Sequence, residues 1–260
     1  MTTSFPNHTF VVCAYKESTY LEDCLQSLLN QKTASKIIIY TSTPNDFIQH
    51  LAEKYQLELF TKTGGSIGKD WNNALSFVTT QYATIAHQDD YYEATYSEEI
   101  MKQFKEKADT LIAYPDYYEW KDGQKIPANT NLKIKSLMLK TMAIFPKSKF
   151  WRKRVLAFGN PISCPAVSYN LKALKDFHFD EEMRVSLDWY AWYQIANRTG
   201  GFAFVNQKLM FHRIHDESET TASISDNSRT KEDLFMYRLF WPQPIANFLM
   251  RYYVKSQNTN

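Results

Sequence analysis

The order of segments along this 260-residue chain predicts an α/β fold. The expected architecture is a single domain: a mostly parallel central sheet flanked by helices, with a helical C-terminal tail. Three observations predict it. Short β-branched runs alternate with segments of helical apolar period through the first half. No Gly/Ser or Pro-rich linker, repeat or low-complexity run divides the chain. Two adjacent carboxylates, Asp89 and Asp90, follow an apolar run, and the carboxyl ends of strands are where open α/β sheets bind ligands.

Residues 9–14 read as a buried strand, followed by a loop from Tyr15 to Ser18. Thr19 and Glu22 have the spacing of a capping box, and Leu21, Cys24, Leu25, Leu28 and Leu29 then recur on one helical face. Residues 36–41 form a second strand. Thr43 reads as an N-cap with Pro44 at the first helical position, and that helix runs to Tyr55. A third strand covers 57–60. The loop Gly64-Gly65-Ser66-Ile67-Gly68 leads into a helix with Trp71, Ala74, Leu75 and Val78 on one side. A strand over 82–86, the two aspartates and a helix over 95–107 complete this half.

The second half is less regular. Thr110 to Tyr114 reads as a strand, and Asp122-Gly123 signals a hairpin. Residues 131–142 and 148–157 read as helices and Ala166 to Tyr169 as a strand. An amphipathic helix over 187–198 ends at Gly200-Gly201, and a strand runs from Phe202 to Phe211. The tail from 230 to 255 is helical, broken near Pro242 and Pro244.

Hydrophobic residues make up 44% of the chain and aromatics 15%, enough for a sizeable core. A net charge of +2 gives no bulk electrostatic case for nucleic acid. Three cysteines without metal-ligand spacing fit a reduced, cytoplasmic protein. The N-terminus lacks the basic and apolar regions of a signal peptide, and no apolar stretch is long enough to span a bilayer. Membrane contact, if made, is peripheral. Lys147, Lys149, Arg152, Lys153 and Arg154 surround Phe150 and Trp151, a composition that suits anionic headgroups or a solvated helix face. The aromatic tail over 234–254 is expected to pack on its own domain, with a homodimer contact or a membrane contact as alternatives.

Neighbouring carboxylates repel, and a hard divalent cation bridged to a phosphate relieves that repulsion. Asp89 and Asp90 therefore read as a metal-diphosphate site, against the alternative of a helix N-terminus. Five segments, in order, resemble the family 2 glycosyltransferases of the GT-A fold: VVCAYKESTYLEDCLQSLLNQ (11–31), GGSIGKDWNNAL (64–75), IAHQDDYY (85–92), VSLDWYAWYQIA (185–196) and HRIHDES (212–218). The resemblance implies a GT-A-like domain over 1–225, with a nucleotide-binding half to about 110 and an acceptor-side half beyond it, followed by a helical extension over 226–260.

That resemblance assigns roles by position. Asp89 is the first candidate ligand for Mn²⁺ or Mg²⁺. Asp90 is a second ligand or an acceptor for a sugar hydroxyl. His87 stands where many relatives carry an aspartate, and reads as a contact to ribose, a contact to metal-bound water or a structural histidine. Gln88 lies on the same donor-binding turn. Arg213 and His215 share one side of an extended strand end. His215 is a candidate metal ligand and Arg213 a candidate phosphate clamp. Gly64, Gly65 and Gly68 suit a close backbone approach to a ligand, with Lys69 for phosphate and Asp70 for donor sugar or nucleoside. The nucleoside is expected across Ala14, Tyr15 and Glu17 after the first strand and Thr41 and Ser42 after the second, where the family commonly has an aspartate.

Asp188 is the candidate general base, with Trp189 as an aromatic wall for an acceptor. Asn160 and Ser163 are expected on the acceptor side, and Cys164 in packing. The implied activity is inverting, metal-dependent sugar transfer from a nucleoside-diphosphate donor, UDP-linked in the first instance. The acceptor is a glycan or a lipid-linked acceptor in surface polysaccharide synthesis. A nucleotidyltransferase is one rival, although AYKEST lacks that class's glycine- and arginine-rich loop. A non-catalytic nucleotide-sugar or glycan-binding protein is the other.

Overall fold

The structure, a computed structural model, describes residues 3–121, 123–215 and 228–257. Its first half alternates β1 (Thr3–Ala14), α1 (Leu21–Leu29), β2 (Thr33–Thr41), α2 (Asp46–Lys54), β3 (Glu58–Thr61), α3 (Ile67–Ser76) and β4 (Tyr82–His87). A two-residue β5 (Tyr91–Tyr92) and α4 (Tyr96–Glu106) follow. Next come β6 (Thr110–Lys121), β7 (Gln124–Lys125), α5 (Thr130–Met142) and α6 (Lys149–Leu156). A 3₁₀ turn at Cys164–Ala166 precedes β8 (Ser168–Asn170), then α7 (Leu187–Ala196) and β9 (Gly201–Arg213). The C-terminal helices are α8 (Ser228–Phe240) and α9 (Gln243–Gln257).

One curled sheet joins the strands in the order β3-β2-β1-β4-β8-β6-β9-β5, with β7 on β6. The first four are parallel neighbours. β8 runs antiparallel between β4 and β6, and β6 and β9 are again parallel over a long register. Alternation along β1 divides the core. Val11 faces one side with Ile38 and Ile85, while Phe10 and Val12 face the other with Ile39 and Ala86. All these side chains are buried, as a strand covered on both faces requires.

Local signals were altered by contacts from afar. Thr19 and Glu22 do not form a capping box: α1 begins after Tyr20, with no side-chain cap. Glu22 instead accepts hydrogen bonds from Lys54 Nζ and the Tyr55 hydroxyl, both at 2.6 Å. Leu29 is exposed, one step past the buried stripe. Asn45, not Thr43, caps α2 by accepting from Ile48 N at 2.9 Å, so Pro44 lies before the cap. The β6–β7 hairpin pairs Lys121 with Gln124; Asp122 lies outside the described residues. The boundary expected at 225 also lies outside them.

The basic segment over 147–154 is not uniform. Arg152 is fully buried and donates to the carbonyls of Gly200, Ala196 and Arg198, closing the C-terminal end of α7. Met236 and Tyr237 of α8 and Ala246 and Met250 of α9 enter the same core as α7. Trp241 Nε1 donates to Ala157 O at 2.8 Å. No helix among the described residues is long and apolar enough to cross a membrane.

Candidate active site

β4 ends at His87, and a turn closed by Asp90 N on His87 O leads into β5. The paired carboxylates sit in this turn. Asp90 is fully buried. Its Oδ1 accepts from Arg213 N at 3.0 Å and lies 3.2 Å from His212 Nδ1. Its Oδ2 makes no hydrogen bond among the described residues and lies 4.0 Å from His87 Nδ1. Asp89 Oδ2 is 2.9 Å from His215 Nε2, and Asp89 O accepts from Arg213 Nε at 2.9 Å. The end of β9 therefore closes over the tip of β4.

Electrostatics follow from this crowding. Burial works to raise the Asp89 carboxyl, but the His215 hydrogen bond and the His87 and His212 rings outweigh it and hold it below its usual value. Burial lowers His87. His212 is raised, because the Asp90 charge and hydrogen bond overcome the burial that would lower it. Arg213 is held on several sides: its guanidinium lies 4.4 Å from the Tyr20 ring and 5.3 Å from Trp120, and Nη2 reaches Asp23 at 3.2 Å.

The donor atoms of His87, Asp89 and Asp90 lie within 4.8 Å of one another. Two carboxylates and an imidazole suit a hard or borderline divalent cation. The buried, unbonded Asp90 Oδ2 is an observation that such an ion would fit. A cavity of about 670 Å³ opens beside this cluster, lined by Glu17, Tyr20, Phe47, Lys121, Arg213 and His215 among others.

The neighbouring strand tips are tied together. The Gln88 side chain accepts from Tyr15 N at 2.9 Å and donates to Tyr15 O at 3.1 Å, so it clasps the β1 loop and is committed to backbone. Tyr15 is 49% exposed, Ala14 is buried and Glu17 is exposed. Lys16, with φ 54°, donates its N–H to Thr43 Oγ1 at 2.6 Å. Buried Thr41 accepts from Thr43 N at 3.0 Å. Ser42 donates to Asp70 Oδ2 at 2.8 Å, and Tyr40 donates to Asp70 Oδ1 at 3.0 Å. A carboxylate thus stands at the tip of β2 after all, but it comes from α3.

Gly68 is corrected. It lies in the first turn of α3, behind the Ser66 cap, and a Cβ there would overlap the Asp180 carbonyl oxygen. Its missing side chain admits the 180–181 backbone. Lys69, on the same turn, makes no ion pair among the described residues.

Asp188 occupies the first turn of α7. Its Oδ2 accepts from Asn160 Nδ2 at 2.7 Å and its Oδ1 from Trp189 N at 2.6 Å. Burial pushes its carboxyl up to about 6, only partly offset by these two donors. The C-terminal extension anchors the approach to this turn: Glu232 of α8 accepts from the N–H groups of Arg184, Val185 and Ser186 at 2.8–2.9 Å. Asn160 Oδ1 meanwhile accepts from Ile162 N. Asn160 is therefore held by the loop and is the partner of the acid. Burial, with Asp188 next and Asp90 as a lesser contributor, raises the Cys164 thiol well above its usual value.

Trp189 does not line the cleft. It is 1% exposed, its indole donates to Leu156 O at 3.0 Å, and it packs edge-on against Tyr237. Its place directly after Asp188 suggested a wall, but helical geometry turns it into the core. Ser163 precedes the 3₁₀ turn and is partly exposed. The sequence reading overlooked His212, Tyr20, Trp120 and Asp23, which hold Asp90 and Arg213. The alternation that singled out Arg213 and His215 passes over His212, and no local pattern marks the other three. Residues 216–218 of the final motif lie outside the described residues.

A comparison with curated proteins finds no match. Solved structures do match in fold. TarS 1-349 of S. aureus in complex with UDP-GlcNAc superposes with a TM-score of 0.66 at 15% identity, over 94% of this chain and 70% of that one. Mannosyltransferase PcManGT of Pyrobaculum calidifontis, in complex with GDP-Man and Mn2+, superposes at 0.62 with 13% identity, over 94% and 68%. The family model for Glycosyl transferase family 2 matches residues 9–170, the stretch that carries β1 to β8 and the Asp89–Asp90 turn. The chain belongs to glycosyl transferase family 2 and is a glycosyltransferase.

Proposed function

We propose that the chain transfers a sugar with inversion from a nucleoside-diphosphate donor, UDP-linked in the first instance, to the hydroxyl of a glycan or lipid-linked acceptor in surface polysaccharide synthesis. The observation that carries this reading is the pairing of two unlike acidic centres. One, at Asp89 and Asp90, sits among histidines and Arg213 at the strand tips. The other, Asp188, has a carboxyl raised to about 6, which suits a base working near neutral pH. The solved neighbours bound to UDP-GlcNAc and to GDP-Man with Mn2+ support a nucleotide-sugar donor.

In this reading Asp188 takes the proton of the acceptor hydroxyl. The acceptor oxygen bonds to C1 of the sugar from the face opposite the leaving group. The C1–O bond to phosphate breaks, and both of its electrons leave with the nucleoside diphosphate. Asn160 keeps the carboxylate aimed. Arg213, rigid between Tyr20 and Trp120, faces the diphosphate. Asp89 would hold a Mn²⁺ or Mg²⁺ ion with Asp90, and with His87 or His215 beside them; when bound, the ion offsets charge on the leaving diphosphate. Tyr15, Ser42 and Asp70 frame the nucleoside.

Calorimetric titration of UDP into the full chain tests the donor and metal roles together. Binding should require Mn²⁺ and should weaken about tenfold or more in Asp89→Ala. Equal affinity with and without the ion, in both proteins, contradicts the assignment. Turnover of a nucleoside triphosphate would favour the nucleotidyltransferase rival. Donor binding without release of nucleoside diphosphate, across a panel of acceptors, would favour the binding protein.

A further inference from the structure

We propose that the α5–α6 corner is a docking surface for an anionic lipid bilayer. Between Asp122 and Asp176 the sequence has eleven lysines and arginines and no acidic residue. Within that stretch six large apolar side chains point to solvent: Ile134 and Leu137 on α5, Ile144 and Phe145 in the turn, Phe150 at the start of α6 and Phe158 after its end. Ile134 and Leu137 are one turn apart on α5, and the stripe continues at its end into Ile144 and Phe145. Phe145, in the turn, and Phe150, opening α6, are 56% and 65% exposed, close in sequence to the exposed aliphatic side chains of α5.

Cations rim the stripe. Lys140 and Lys149 are exposed, and Lys153 is partly so. None of the three forms an ion pair among the described residues. Arg154 lies over both Phe150 and Trp241, each at 5.2 Å from the ring centre. Apolar side chains that enter the headgroup boundary, ringed by lysines that meet anionic phosphates, are the chemistry of an interfacial surface. The charge selects the occupant. A second copy of this chain would bring the same cations against these, whereas an anionic bilayer complements them.

The surface leads to the candidate site. Phe158, 58% exposed, sits 5.6 Å from Trp241 and two residues before Asn160, the partner of Asp188. A bilayer against this corner would present a lipid-borne hydroxyl on the Asp188 side. That consequence rests on the transfer reading; the surface itself does not.

Vesicle flotation with the full chain tests the surface without turnover, so its failure and the failure of the transfer reading are separable. Vesicles of phosphatidylcholine alone are compared with vesicles holding about one third phosphatidylglycerol. Binding should be about tenfold or more stronger to the anionic vesicles and should fall at high salt. The pair Phe145→Ser and Phe150→Ser, and separately Lys149→Glu and Lys153→Glu, should each weaken it about tenfold. All four residues are at least partly exposed and outside the candidate site, so donor hydrolysis and the melting temperature should be unchanged. No binding, equal binding to both vesicles, or binding indifferent to both pairs overturns the proposal. So does a dimer in light scattering that the serine pair converts to monomer, since the face would then join two copies.

Discussion

Asn160 donates its side-chain amide to Asp188 Oδ2 at 2.7 Å, across 28 residues of sequence, and so ties the loop after α6 to the first turn of α7. This bond favours the charged form of a carboxyl that burial raises to about 6. If Asp188 is the base, activity should fall as pH drops through about 6, because the protonated acid cannot accept the acceptor's proton. In Asn160→Ala the lost donor should move that acidic limb to higher pH and lower kcat at neutral pH roughly three- to tenfold. A pH–rate profile checks both. An unshifted limb would show that Asn160 does not act on Asp188.

Gly68→Ala should destabilise the protein. The added methyl would overlap the Asp180 carbonyl oxygen, which is backbone and cannot rotate away. The expected cost is about 1–3 kcal/mol, seen as a lower urea midpoint. Nucleotide affinity measured on the folded fraction should change less than stability. A wild-type midpoint would mean that the 180–181 segment is free to shift.

His8 predicts a specific acid sensitivity. It is fully buried, between Ser35 Oγ at 2.8 Å and Thr84 Oγ1 at 3.0 Å, and burial lowers its pKa from 6.5 to about 3. Its folded value is depressed, so the unfolded chain binds the proton first. Stability should be complete above 6.5 and decline as pH falls toward about 3. Between pH 6.5 and 5 the loss from this one group is about 1.5 kcal/mol. Urea titrations of wild type and His8→Gln at both pH values isolate it. Equal slopes in the two proteins would remove His8 as the cause.

The βα alternation of the first half was legible because each strand is a compact β-branched run and each helix has its own apolar stripe. The second half was legible in parts. β6 continues through Lys121, well past the expected end at Tyr114, because β9 supplies a long parallel partner that no local pattern announces. β5, two residues long, exists only through its pairing with β9. The capping box at Thr19 and Glu22 failed for the same kind of reason: Lys54 and Tyr55 compete for the glutamate. At the candidate site the chain order of motifs pointed to the Asp89 turn, Asp188 and Arg213. It could not say that Asp70 would bring a carboxylate to Ser42, nor that Trp189 would face inward, since both depend on how α3 and α7 rotate against the sheet.

The most direct measurement is release of nucleoside diphosphate from a UDP-sugar with Mn²⁺ by wild type and Asp188→Asn, each with UDP affinity measured in parallel. Asparagine keeps the shape and the Asn160 contact region but cannot take a proton. The account predicts a loss of roughly 10²–10⁴ in rate with UDP affinity unchanged. Release at the wild-type rate by Asp188→Asn would contradict it.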